Sequence, residues 1–238
     1  MSSPVSSTAP DAAILLDLDG TLVDPAGSIT GGIAASLRLH GLPVPGPERL
    51  NALVGPPLRE GLRSLEGVTE DNLPAVIRDY RAGYLSHGLA ASTVYPGIRG
   101  ALVDLGAEYP LVVATSKPQT LARQLLRTQG LGDCFTAICG SDDDETAPVP
   151  PHGTKVAAIA EALAAVGHPE RAVMVGDRHF DLDGAAHHGI PAIGVLWGFG
   201  TPAELTGAGA TALCEDPAGL PELCRDLVRY GRRGRPAL

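Results

Sequence analysis

Two aspartates define the chemistry open to this chain. Asp17-Leu18-Asp19-Gly20-Thr21 sits at the end of an apolar run, residues 12–17 (AAILLD). Carboxylates two apart in an extended segment lie on the same side of the chain. Aimed at one point, such a pair must be neutralised by a cation, or one member must hold a proton. Gly20 lets the backbone turn away sharply behind them. Alone, the segment reads equally well as an acidic turn after a strand. Three other segments tip the balance. The run at 110–115 ends in Thr115-Ser116-Lys117, two hydroxyls and an ammonium. The run at 171–177 ends in Gly176-Asp177, with Asp181 four residues on, and Lys155 opens a helical pattern at 153–166. Carboxylates, hydroxyls and ammonium groups converging on one sheet edge suit a phosphate bound with Mg²⁺. The hard cation takes oxygen ligands, and Lys and hydroxyl groups take the remaining phosphate oxygens. The two lysines stand out further because the other basic residues among the 18 are all Arg. A compact ammonium on a flexible stem does what a planar guanidinium cannot, so positions 117 and 155 have a specific need.

These residues need a frame to bring them together. The apolar runs at 12–17, 110–115, 171–177 and 190–196, and weaker ones at 135–139 and 210–213, are uninterrupted rather than alternating. That is the pattern of strands buried on both faces. Helical patterns at 118–129, 153–166, 180–188 and 218–230 lie between them. The expectation is an α/β fold with a doubly wound, mainly parallel sheet, its ligand site beyond the carboxyl ends of the strands. Between the first strand and the next, helical patterns occupy 28–40, 47–53, 57–66 and 70–87. Residues 25–92 are therefore expected to form an inserted all-α domain, with the core at 11–24 and 93–230. Tyr95-Pro96-Gly97 marks the return to it. Residues 1–10 read as a disordered leader without the basic start or apolar stretch of a signal peptide, and 231–238 as a basic tail.

Together, DLDGT at 17–21, Thr115, Lys155 and GDRHFD at 176–181 resemble, in order, the four motifs of the haloacid dehalogenase superfamily. The likeness is to its phosphoglycolate-phosphatase-like branch with a small helical cap, and it spans about residues 12–230. The resemblance implies a Rossmann-like core, with 25–92 as the cap, and a Mg²⁺-dependent phosphatase acting on small phosphate monoesters. It implies Asp17 as the nucleophile that forms an aspartyl-phosphate, and Asp19 as the general acid and base. It implies a metal held by the Asp17 carboxylate, the Asp19 carbonyl and Asp177, with Asp181 as an outer ligand, and Thr115 and Lys155 binding the transferring phosphoryl group. Asp19 has little use in a dehalogenase, whose halide leaves without a proton, and so favours phosphate ester hydrolysis. Its proton is expected to be retained through a neighbouring carboxylate and partial desolvation. Gly20, Ser116 and Lys117 are expected near the phosphate, Lys117 steadying either phosphate or cap. Arg59 is a candidate for a bidentate contact to a substrate carboxylate. A 5′-nucleotidase, a sugar phosphomutase and a catalytically silent phosphate-binding module remain as alternatives.

The rest of the chain narrows the field. Net charge is −9, which disfavours nucleic acid and anionic membrane as partners. A small phosphate ester bound to a monomer or homodimer is expected instead. No apolar run reaches the roughly 18 residues of a spanning helix. Four cysteines without a CxxC pair suit reduced thiols in a cytoplasm. Gly198-Phe199-Gly200-Thr201-Pro202 resembles a dinucleotide fingerprint but lies too near the next turn for a crossover, and reads as a loop near the site mouth. Asp142, Asp143, Asp144 and Glu145 read as a solvated charge run. Tyr80 and Tyr84, at helical spacing, read as packing residues of the inserted helices.

Overall fold

The computed structural model describes residues 10–25, 27–144 and 149–230. The tail at 231–238 and, apart from Pro10, the leader lie outside them. The chain begins with β1 (Ala12–Leu16) and the short β2 (Val23–Asp24). Helices α1 (Ser28–Leu39), α2 (Pro47–Asn51), α3 (Leu58–Arg63) and α4 (Leu73–Gly83) follow, then a π-helical turn (Tyr84–Gly88) and α5 (Leu89–Ala91). Next come β3 (Thr93–Val94), α6 (Ile98–Gly106), β4 (Leu111–Pro118), α7 (Gln119–Thr128) and β5 (Ala137–Ser141). The chain ends with α8 (Thr154–Ala165), β6 (Arg171–Gly176), α9 (His179–His187), β7 (Ala192–Val195), α10 (Pro202–Gly207), β8 (Ala212–Cys214) and α11 (Leu220–Tyr230).

Six strands form one parallel sheet in the order β5-β4-β1-β6-β7-β8. The expected doubly wound sheet is thus present. β1 lies at its centre, and all five of its residues are buried because both faces are covered. Alternate residues serve alternate faces. Ile14, Leu16, Val113, Val173 and Val175 join α6, α7 and α11 in one cluster. Ala13, Leu15, Val112, Ala114 and Met174 join α8, α9 and α10 in the other. The chain moves from β1 to β4 and β5 on one side, and to β6, β7 and β8 on the other. The crevice where these directions part, at the carboxyl ends of β1, β4 and β6, is where such folds place ligands.

The described residues of 25–92 contribute no strand to this sheet. β2 and β3 pair antiparallel across the two ends of the segment, Val23 with Val94 and Asp24 with Thr93. α1 and α4 pack together, with Ser36 Oγ donating to Val76 O at 2.7 Å. Ile29, Ile33, Leu37, Leu62, Val76 and Tyr84 continue the apolar cluster that covers one face of the sheet. The helix expected over 70–87 is interrupted. α4 ends at Gly83, and the next turn is wound as a π-helix, a geometry frequent at functional sites. The sequence pattern also gave no sign of α6, which follows Gly97 at a left-handed φ of 88°. Asp143 is not merely a solvated charge: its carboxylate accepts from Thr120 N at 2.9 Å and from the Thr120 hydroxyl, satisfying the start of α7. All four cysteines are unpaired. No helix among the described residues is long and apolar enough to cross a membrane.

Ile14 tests the central position of β1, being fully buried between Leu111 and Val173. Ile14→Ala is expected to lower unfolding stability by about 2–5 kcal/mol in a denaturant titration. A loss under about 1 kcal/mol would contradict a tightly packed central strand.

Candidate active site

The ends of β1, β4 and β6 bring the sequence-selected residues to one place. Asp17 directly follows β1, its N–H still paired with Val175 O at 2.9 Å. Asp177 directly follows β6, and Asp181 lies in the first turn of α9. Oxygens of Asp17, Asp177 and Asp181 all lie within 4.8 Å of one another, and all three residues are buried. Lys155, from the first turn of α8, reaches this cluster from below. Its Nζ donates to Asp17 Oδ1 at 2.5 Å and to Ala114 O at 3.0 Å. It also lies 2.8 Å from Asp181 Oδ1, an ion pair with the third carboxylate.

Charge does not balance here. One ammonium faces three carboxylates in a volume closed to water. Burial, with Asp181 and Asp17 alongside, drives the Asp177 carboxyl well above the usual carboxylate range. Burial also pushes Asp181 up to about 6, against the pull of Lys155. Lys155 loses some basicity to burial, but Asp17 and Asp181 more than restore it, so it stays charged. A divalent cation among these oxygens would offset the excess. An all-oxygen donor set of this kind suits a hard ion such as Mg²⁺. The site fits the metal on its chemistry.

The backbone is shaped to hold Asp177 in place. Phe199 N–H donates to its Oδ2 at 2.8 Å, and Thr21 Oγ1 to its Oδ1 at 3.2 Å. Trp197 Nε1–H donates to Thr21 O at 3.0 Å, tying the loop after β7 to the turn after β1. A Cβ on Gly20 would lie 2.3 Å from Asp177 Oδ2, and one on Gly198 would lie 2.4 Å from Asp177 Cβ. Only glycine fits either position. Gly20 therefore has a different role from the expected phosphate contact: its N–H is already donated to Val23 O at 2.9 Å. The segment at 198–200 is the site-mouth loop read from the sequence. Its use of the Phe199 N–H was not legible, because any residue but Pro offers one.

Asp19 sits apart from the three-carboxylate cluster. The expected neighbouring carboxylate is replaced by an ammonium: Lys117 Nζ donates to Asp19 Oδ2 at 2.8 Å. Both side chains are buried, and Asp19 Oδ1 has no hydrogen-bond partner. A cavity of about 50 Å³ is lined by Asp17, Asp19, Thr115, Ser116 and Lys117 from the sheet edge. Leu53, Val54, Gly55, Pro56, Leu58, Tyr80 and Arg81 close it from the inserted helices. Thr115 Oγ1 accepts from Lys117 N at 3.2 Å, which fixes the hydroxyl.

Arg59 does not join this group. It pairs with Glu70 at 3.2 Å and lines an adjoining cavity of about 260 Å³. Arg81, not singled out in the sequence, lines both cavities. Only its position on α4, opposite the sheet edge, distinguishes it from other surface arginines. Arg178 pairs with Glu204, Nε to Oε1 at 2.9 Å, and also reaches the inserted helices, donating to Val54 O at 2.5 Å. His179 stays at the rim, 2.9 Å from Asp183.

The chain matches the family model for haloacid dehalogenase-like hydrolases over residues 14–195. It is 40% identical to the tyrosine-protein kinase PtkA of Mycobacterium tuberculosis over 212 residues, spanning 88% of this chain and 70% of that protein. It is 36% identical to a 5′-nucleotidase of Pseudomonas aeruginosa, spanning 88% and 94%. It is 34% identical to a phosphoglycolate phosphatase of Caulobacter vibrioides, spanning 91% and 92%. Among solved structures, a predicted phosphatase from Clostridium acetobutylicum superposes with a TM-score of 0.80 at 33% identity, covering 93% of this chain and all of that one. With its motifs, parallel sheet and buried carboxylates in agreement, this chain belongs to the haloacid dehalogenase-like hydrolase family and is a phosphatase.

Proposed function

We propose that the chain hydrolyses small phosphate monoesters in two steps through a phosphorylated Asp17. The observation that carries this is the grouping of Asp17 with Asp177, Asp181 and Lys155, while Asp19 lines the same cavity on a separate lysine. Lys155 holds one oxygen of Asp17 and leaves the other to attack phosphorus. The bond from phosphorus to the ester oxygen breaks, and Asp19 gives that oxygen its proton. Asp19 then takes a proton from the water that attacks the acyl phosphate, which returns Asp17 as a carboxylate and releases phosphate. Thr115 and Ser116 offer hydroxyl donors to the phosphoryl oxygens. Asp17, Asp177 and the Asp19 carbonyl would hold Mg²⁺, with Asp181 behind them. When bound, the metal supplies positive charge against the phosphoryl oxygens and relieves the repulsion between the carboxylates.

The preferred substrate on this reading is phosphoglycolate or an ester of similar size. The small inner cavity and the phosphoglycolate phosphatase relative support it. A nucleoside monophosphate is the second reading, favoured by the adjoining cavity of about 260 Å³ and by the 5′-nucleotidase relative. A panel of phosphate esters separates the two. Phosphoglycolate is expected to give a higher kcat/KM than any nucleoside monophosphate, and the reverse order would favour the second reading. Asp17→Asn is expected to lower kcat by at least about 10³-fold on every ester, because a nucleophile cannot be replaced by its neighbours. Residual activity near the wild-type level would refute the mechanism.

Metal binding carries a pH signature. Asp177 and Asp181 hold protons more tightly in the metal-free fold than in the unfolded chain. These protons therefore favour the metal-free fold at lower pH, and the Asp181 share of that contribution is lost as pH rises through about 6. Mg²⁺ must displace those protons. Saturating Mg²⁺ is expected to raise Tm strongly at pH 8 and much less at pH 5.5, with proton release measurable by calorimetry in two buffers. Asp177→Asn is expected to abolish the effect at both pH values. An equal Tm gain at both pH values in the wild type would contradict this assignment.

A further inference from the structure

We propose that Tyr84 is a positioning residue that presses Lys117 onto Asp19, so that Asp19 is set for proton transfer only while the inserted helices are seated on the sheet. This rests on the reading of Asp19 as the proton-transfer group. Lys117 comes from β4 and Tyr84 from the inserted helices, on the π-helical turn. The ammonium lies 4.5 Å from the centre of the Tyr84 ring and 2.8 Å from Asp19 Oδ2. It is held between an aromatic face and a carboxylate, with both partners buried.

The ring attracts the ammonium through its π-face while Asp19 holds it from the other side. The surroundings fix the ring. Tyr80, one turn earlier, stacks on it with centroids 5.9 Å apart. On the other side, Gly88 leaves room: a Cβ there would lie 2.5 Å from Tyr84 Cδ2. The wider π turn places Tyr84 and Gly88 in this relation, and Ser92 Oγ closes it by donating to Gly88 O at 2.9 Å.

A lysine stem is flexible, and without the ring its head can leave Asp19. Loss of acid positioning has a distinctive readout. An alkyl ester needs its leaving oxygen protonated, whereas p-nitrophenolate leaves without a proton. Tyr84→Leu is expected to lower kcat for an alkyl phosphate by at least about tenfold, and for p-nitrophenyl phosphate by less than about threefold. Tyr84→Phe, which keeps the ring, is expected to restore the alkyl rate. If Tyr84→Leu fails to fold, Gly88→Ala displaces the ring without removing it and is expected to give the same split. Equal losses on both esters, no loss on either, or a Tyr84→Phe variant as slow on the alkyl ester as Tyr84→Leu would overturn the proposal. Asp17→Asn, run alongside, keeps the two claims apart. Its failure to lower either rate would overturn the phosphatase mechanism itself, whereas its expected loss on both leaves that mechanism standing whatever Tyr84 does.

Discussion

Burying more negative than positive charge at the end of a central strand is the constraint on which this molecule is organised. Asp17, Asp177 and Asp181 are held within 4.8 Å of one another against one ammonium. Left to themselves, like charges in a closed space separate or take up protons. The fold prevents separation by making each carboxylate part of a rigid element. Asp17 is tied to the β1–β6 pairing, Asp177 to Phe199 N–H and Thr21, and Asp181 to the start of α9 through Arg178 N–H at 3.1 Å. The instability built into the cluster is what a divalent ion and a phosphoryl group would relieve, so a cost to the empty fold becomes affinity for the metal and the phosphoryl group.

The two lysines divide the work. Lys155 pairs with Asp17 and Asp181, and Lys117 pairs with Asp19. Each ammonium is a buried point charge set against a carboxylate. This accounts for two lysines surviving in a chain whose other basic residues are all arginine. Chemistry and recognition are also separated in space. The sheet edge supplies the carboxylates and hydroxyls, while the inserted helices supply the aromatic and arginine residues that close over them.

Much of the frame was legible in the sequence because buried parallel strands leave uninterrupted apolar runs. DLDGT, Thr115 and Asp177 each follow such a run within a few residues, and Lys155 opens a helical pattern. What could not be read depends on contacts between distant segments. Nothing local says that Lys117 meets Asp19, 98 positions away, or that Gly20 is a glycine because Asp177 passes behind it. Arg59 looked suited to a carboxylate, yet its helix presents it to Glu70. Tyr80 and Tyr84 have the spacing of ordinary packing residues. The π turn that aims Tyr84 at Lys117 leaves no mark in the hydrophobic period.

The central claim is that Asp17 becomes covalently phosphorylated during turnover. Borohydride reduces an acyl phosphate to an alcohol, so quenching the working enzyme with borohydride and mapping its peptides by mass spectrometry reads the intermediate directly. The account predicts homoserine at position 17, formed only when substrate and Mg²⁺ are both present. Reduction at another carboxylate, or rapid turnover with none at position 17, would contradict it.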